Sequence, residues 1–155
     1  MKYTPGHAFL VLVIIAVVNF AIDMRSYHTR KCLSSSPGDT HFNILSLLMV
    51  HHLLSTFLLL GWIVPDRRVL ILFILGNLLM LLEWSVFGYC RLTRMLNQMC
   101  RQEEGLPFRD LFWWSGTKEI VVWKWNGKGT SLFVVLAVVF LLLGILHLLR
   151  LSRLP

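Results

Sequence analysis

Charge is what this 155-residue sequence has least of: only 15% of its residues are Asp, Glu, Lys or Arg. A soluble domain of this length would interleave charged and apolar positions every three or four residues along its surface helices. Here the apolar residues come in long blocks with the charges gathered between them, in a composition that is 56% hydrophobic with a mean hydropathy of +0.67. That pattern excludes an ordinary soluble fold and points to a membrane.

Other absences narrow the reading further. The three cysteines, Cys32, Cys90 and Cys100, form no Cys-x-x-Cys pair and have no zinc spacing. With an odd total, free thiols are the default expectation. No Asn-x-Ser/Thr acceptor, Gly-rich phosphate loop, serine nucleophile elbow or His-Glu-x-x-His motif occurs, which argues against the familiar enzyme classes. The formal charge of +7 contains no run of four basic residues, and its cations sit among Trp and Phe beside apolar stretches. The expected partners are therefore membrane lipids, not nucleic acid. Internal repeats are also absent, so one domain is expected.

Four apolar stretches are long enough to cross a bilayer, which takes about 20 residues at ~1.5 Å per residue. They run from about Gly6 to Met24, Phe42 to Val64, Val69 to Tyr89 and Ser131 to Leu149. The first has a short uncharged core, Ala8 to Ile22, which is also the length of a signal-peptide core. Its weak basic start at Lys2 and poor cleavage context favour a retained helix. The fold class expected is an all-α membrane protein of four transmembrane helices.

Two further elements are expected between the third and fourth spans. Leu92, Met95, Leu96 and Met99 have helical spacing and are flanked by Arg91, Arg94 and Arg101, so about 91–102 reads as an amphipathic helix lying on the membrane. The segment Glu119 to Trp125 followed by Asn126-Gly127 has strand composition and a tight-turn signal, which suggests a short aromatic β-hairpin. Trp62, Trp113, Trp114, Trp123 and Trp125 are expected as interfacial anchors, because indole pairs an apolar ring with a wet N–H.

With four spans, 25–41 and 90–130 share one side and both termini the other. The loop side carries ten basic residues (Arg25, Arg30, Lys31, Arg91, Arg94, Arg101, Arg109, Lys118, Lys124, Lys128). The terminal side carries five (Lys2, Arg67, Arg68, Arg150, Arg153). This bias puts the loops on the cytoplasmic or equivalent inner side.

The turn Pro65-Asp66-Arg67-Arg68 is too short for anything but an antiparallel hairpin of the second and third spans. Equal rise along both helices then sets Glu83 about level with His51 and His52, and Asn77 level with Thr56. A carboxylate within a span costs roughly 2.5–3.5 kcal/mol and normally takes a partner inside the protein. The expectation is a polar seam of His51, His52, Thr56, Asn77 and Glu83, serving as interhelical glue or, alternatively, as a proton or ion relay. No metal and no cofactor is expected: a haem would need histidines at matching depth on two helices, and His147, near the outer end of the fourth span, misses His51 by ~10 Å at ~1.5 Å per residue.

From about His51 to Gln98 the chain resembles a family of small, uncharacterised polytopic membrane proteins. The resemblance rests on His51/His52, Gly61, Glu83-Trp84 and Cys90-Arg91-Leu92-Thr93, and departs at Arg91, often Pro in that family, and at Asn97, usually Glu. It implies architecture alone, four helices with the polar residues on the central pair. The function expected from all these features is an accessory subunit of a larger membrane complex, with an energy-converting, respiratory-type assembly in the mitochondrial inner membrane as one host; a small oligomeric proton or ion channel is the alternative.

Overall fold

In the computed structural model the described residues are 4–87, 91–100, 121–125 and 128–153, with backbone alone for 28, 39, 121–125, 128–131 and 133. The helices are α1 (Pro5–Met24), α2 (Tyr27–Ser35), α3 (Gly38–Leu60), α4 (Arg67–Phe87), α5 (Arg91–Met99) and α6 (Leu132–Leu151). Four of them, α1, α3, α4 and α6, are long and apolar enough to cross a membrane, which supports a multi-pass membrane protein. The strands β1 (Val121–Trp125) and β2 (Lys128–Ser131) pair antiparallel, with Trp125 opposite Lys128. Their side chains, like all of Arg101, Trp113 and Trp114, lie outside the described residues.

Local chemistry explains where the helices start and stop. Thr4 caps α1 by accepting from the His7 amide, with Pro5 in the first turn, where a missing N–H costs nothing. Ser26 caps α2, accepting from the Thr29 amide at 3.2 Å, and Pro37 separates α2 from α3. Asp66 Oδ1 accepts from the amides of Arg68 (2.9 Å) and Val69 (3.1 Å), which makes it the cap of α4. The loop expected at 25–41 is thus mostly helical, because Ser26 and Thr29 supply a start signal inside it.

α3 is the hub, meeting α1, α4, α5 and α6, whereas α4 packs chiefly on α6 and α1 on α3 and α2. The hairpin register has direct markers. A Cβ added at Gly76 would lie 2.8 Å from Leu58 Cδ2, and one at Gly61 2.8 Å from Phe73 Cδ2. Phe73 is fully buried, and its ring is seated against a second glycine: a Cβ at Gly144 would come within 2.5 Å of it. Without these two hydrogens in place of methyls, α4 could not approach α3 and α6 at this level.

α1 ends at Met24, beside the middle of α3, while α3 begins 14 residues before His52, which is ~21 Å at ~1.5 Å per residue. α2 and α5 fill the flank that α1 leaves open. Cys32, Ile44, Leu48 and Leu96 form a buried cluster there, edged by Phe20, Met24 and Met99. Leu96 and Asn97 are buried, so α5 is docked on α3 rather than merely lying on a lipid surface. His41 Nε2 donates to the carbonyls of Leu33 and Ser36 and ties the start of α3 to the end of α2.

This docking corrects the expectation of free thiols. Cys32 and Cys100, 68 residues apart, are joined in a disulfide with Cα atoms 4.8 Å apart. Sequence spacing carries no trace of the pairing, because it is the shared seat of α2 and α5 on α3 that brings the two together.

Candidate functional site

The last turn of α1 presents Asp23 to the middle of α3, where His52 Nε2 lies 3.1 Å from Asp23 Oδ2, and both side chains are 1% exposed. The other carboxylate oxygen, Oδ1, accepts from the Thr29 hydroxyl at 3.1 Å and from the Ser26 hydroxyl at 3.4 Å. Those hydroxyls are where they are because Ser26 and Thr29 form the cap of α2. The same two residues therefore turn the chain from α1 into α2 and supply donors that offset burial of the carboxylate. The His52 ring is framed edge-on by Phe20 at 6.2 Å and by His51 at 5.6 Å.

Of the residues expected in the polar seam, His51, His52, Thr56 and Asn77 are buried, and Glu83 is not among them. Glu83 is 28% exposed and pairs with Arg91 Nε at 3.2 Å, while the Arg91 guanidinium lies 4.4 Å from the Phe87 ring centre. The hairpin register gave Glu83 the right depth but not the right face. Six residues from Asn77 is about 1.7 turns, which swings Glu83 about 120° away from the inward line of α4. The carboxylate that does face histidine is Asp23, at the end of the first apolar run. Its signal was its i+3 and i+6 relation to Ser26 and Thr29 beside a helix start.

A further polar level lies one turn along. Thr56 follows His52 by four residues on α3, Asn19 precedes Asp23 by four on α1, and the hairpin register brings Asn77 of α4 to the level of Thr56. All three are buried, at 2% exposure or less. Beyond them, toward the terminal side, the interior consists of Leu12, Leu59, Val64, Leu70 and Phe73.

Near that terminal end His147 Nδ1 lies 2.8 Å from the Trp62 carbonyl oxygen, and the Trp62 indole stacks on Phe140 at 6.1 Å. The expectation of Trp62 as a wet interfacial anchor is thereby corrected. Its Nε1 is buried with no hydrogen-bond partner among the described residues, because the 3-10 turn Gly61–Ile63 directs the ring at α6 instead of outward. Arg91 and Arg94 are exposed on α5, Arg91 serving the ion pair above as well as the surface.

Chemically, the hydroxyls of Ser26 and Thr29 bond the carboxylate rather than the imidazole. A nucleophilic triad needs the opposite order, with the hydroxyl on the histidine. Among the described residues no group of three or more His, Cys, Asp or Glu could hold a metal ion. The arrangement holds two helices together and offers a buried imidazole–carboxylate contact.

Removing one partner of such a buried pair strands the other and costs about 3–5 kcal/mol, whereas apolar replacement of both is often nearly neutral. Asp23→Leu and His52→Leu should each lower the melting temperature in detergent, and the double variant should be more stable than the two losses added together imply. Simple additivity would show that the pair is not coupled. Comparison with known proteins adds no assignment: no family model, no curated protein and no solved structure matches this chain.

Proposed function

We propose that this chain is an accessory, structural subunit of a larger integral membrane assembly, with energy-converting complexes as one class of host. The observation that carries this reading is the use made of ionisable groups within the spans. Asp23 joins α1 to α3 through His52, Glu83 joins α4 to α5 through Arg91, and His147 joins α6 to the Trp62 carbonyl. Each serves a contact between segments rather than converging on a shared reaction centre. The outward face of α4 adds support: Leu72, Leu75, Leu79, Leu82 and Val86 are exposed at alternating three- and four-residue spacing, the knob pattern with which another helix packs. Native membranes solubilised in gentle detergent should yield the chain in a species well above its own 18.0 kDa, and a lone species of that mass would overturn the reading.

The reading carries an orientation in which the face bearing α2 and α5 looks into an oxidising compartment, away from cytoplasm or matrix. This reverses the placement expected from the Lys and Arg counts. The Cys32–Cys100 disulfide supports it, since such a bond persists only where thiols are not kept reduced. Arg67, Arg68, Arg150 and Arg153, all at helix ends, would then be the inner positive charges. In sealed, right-side-out membranes carrying Cys90→Ser, a membrane-impermeant thiol reagent should label Cys100 only after mild reduction. Labelling that also requires lysis of the membrane would refute this orientation.

A second reading, a small proton or ion carrier, draws on the polar line from Asp23 and His52 to Thr56 and Asn77. It ranks lower because the polar line meets Leu59, Val64, Leu70 and Phe73 on the terminal side. Purified protein in liposomes would have to conduct, with the current lost in Asp23→Asn; an absence of current from the unmodified protein rules the carrier out.

A further inference from the structure

Two buried polar atoms at mid-span are left over once the helix contacts are assigned. Among the described residues Thr56 Oγ1 and Asn77 Oδ1 have no hydrogen-bond partner, in side chains that are 1% and 0% exposed. The orientation of the Asn77 amide is set by its own helix: Nδ2 donates to the Phe73 carbonyl at 2.9 Å, which leaves Oδ1 as a pure acceptor. Thr56 carries a hydroxyl able to give one hydrogen bond and take others. Because Gly76 meets Leu58 and Gly61 meets Phe73 across the hairpin, these two side chains share one level. Asn19 reaches the same level from α1, and His52 lies one turn above on the face that bears Thr56.

We propose that this level is a hydrated pocket in which bound water donates to Asn77 Oδ1, exchanges hydrogen bonds with the Thr56 hydroxyl, and continues the polar line up to the His52–Asp23 pair. Two requirements select water. The occupant must be a hydrogen-bond donor, since Asn77 Oδ1 can only accept, and it must be small, since Phe57 and Phe73 pack edge to face at 6.2 Å just below. A metal cation would need a carboxylate to itself, and the Asp23 carboxylate is already shared among His52, Thr29 and Ser26. Water also finds the two to four polar partners it needs among Thr56, Asn77 and their neighbours one turn away.

The pocket is one-sided. Toward the loop face, Asp23 leads to Ser26 and Thr29, which lie at the α1–α2 corner. In the other direction Leu59, Leu70 and Phe73 close it. Hydration therefore enters from the face that bears the disulfide and ends near the middle of the span. This extends to the interior of the helix bundle and does not depend on whether the chain works as a subunit or alone.

The test uses the unmodified full chain in lipid bilayers, labelled with ¹³C and ¹⁵N, and reads magnetisation transfer from water by solid-state NMR. The Asn77 amide and Thr56 Cβ signals should build up about as fast as that of Ser26. Build-up as slow as that of Leu70 or Phe73 would show a dry level and overturn the proposal. Melting in detergent gives an independent sign. If water satisfies these atoms, Thr56→Val and Asn77→Leu each lower the melting temperature by a few degrees, and the double variant loses less than the two together. If the atoms are dry and unpaired, Thr56→Val instead raises it, because an uncompensated hydroxyl has been removed.

Discussion

The contact between Asp23 and His52 sets the position of α1, and through α1 the arrangement of the loop-side cap. α1 is apolar around most of its circumference, with Phe9, Leu10, Ile14 and Val18 all exposed to the surroundings. In lipid such a helix gains nothing from one rotation over another, since acyl chains and leucine are equally apolar. A buried carboxylate held by His52, Thr29 and Ser26 removes that freedom, because any other rotation would strand it in hydrocarbon. Depth is fixed by the same contact, since Asp23 can meet His52 at one register only.

Consequences pass outward from that point along a connected series of bonds. Asp23 holds Ser26 and Thr29, and these begin α2 in the direction that carries Cys32 onto Ile44 and Leu48 of α3. The disulfide then fixes the end of α5, and the start of α5 returns Arg91 to Glu83 of α4. Four helices are thus linked around α3 by one buried imidazole–carboxylate hydrogen bond, one covalent bond and one half-exposed ion pair. The exposed pair contributes least, on the order of 0–1 kcal/mol, since Arg91 is 65% exposed and solvent screens it. The covalent link and the buried pair therefore carry the specificity of this half of the molecule.

How far the sequence could be read follows from the kind of information each feature needs. Length and hydropathy decide how many helices cross, so the four spans and the antiparallel hairpin were legible from composition and from the four-residue turn Pro65–Arg68. Depth was legible too, because rise per residue is constant, and this is why Thr56 and Asn77 share a level as expected. Rotation about the helix axis was not, since a span made almost wholly of Leu, Ile, Val and Phe gives no amphipathic signal. Depth alone therefore matches Glu83 to histidine although its face points elsewhere, and Asp23 reads as a boundary charge at the end of the first apolar run. The Cys32–Cys100 pairing and the inward turn of Trp62 needed the tertiary seat of α5 and the 3-10 turn after α3, neither of which has a local sequence mark.

The two halves of the membrane span solve the same packing problem by different means. On the loop side, rotation and depth are specified by hydrogen bonds, an ion pair and a disulfide. On the terminal side they are specified by shape: the Phe73 ring against Gly61 and Gly144, Leu58 against Gly76, and Trp62 against Phe140. Shape alone suffices there because α4 and α6 approach closely enough for dispersion contacts that lipid chains cannot match in density. Near Asp23, α1 meets the hydroxyls of Ser26 and Thr29 and the His52 ring, with Phe20 and Met24 packed beside the Cys32, Ile44, Leu48 and Leu96 cluster. Polar chemistry at the α1 end and close packing at the α4–α6 end are therefore two answers to one constraint, that hydrophobicity cannot orient a helix within a hydrophobic solvent.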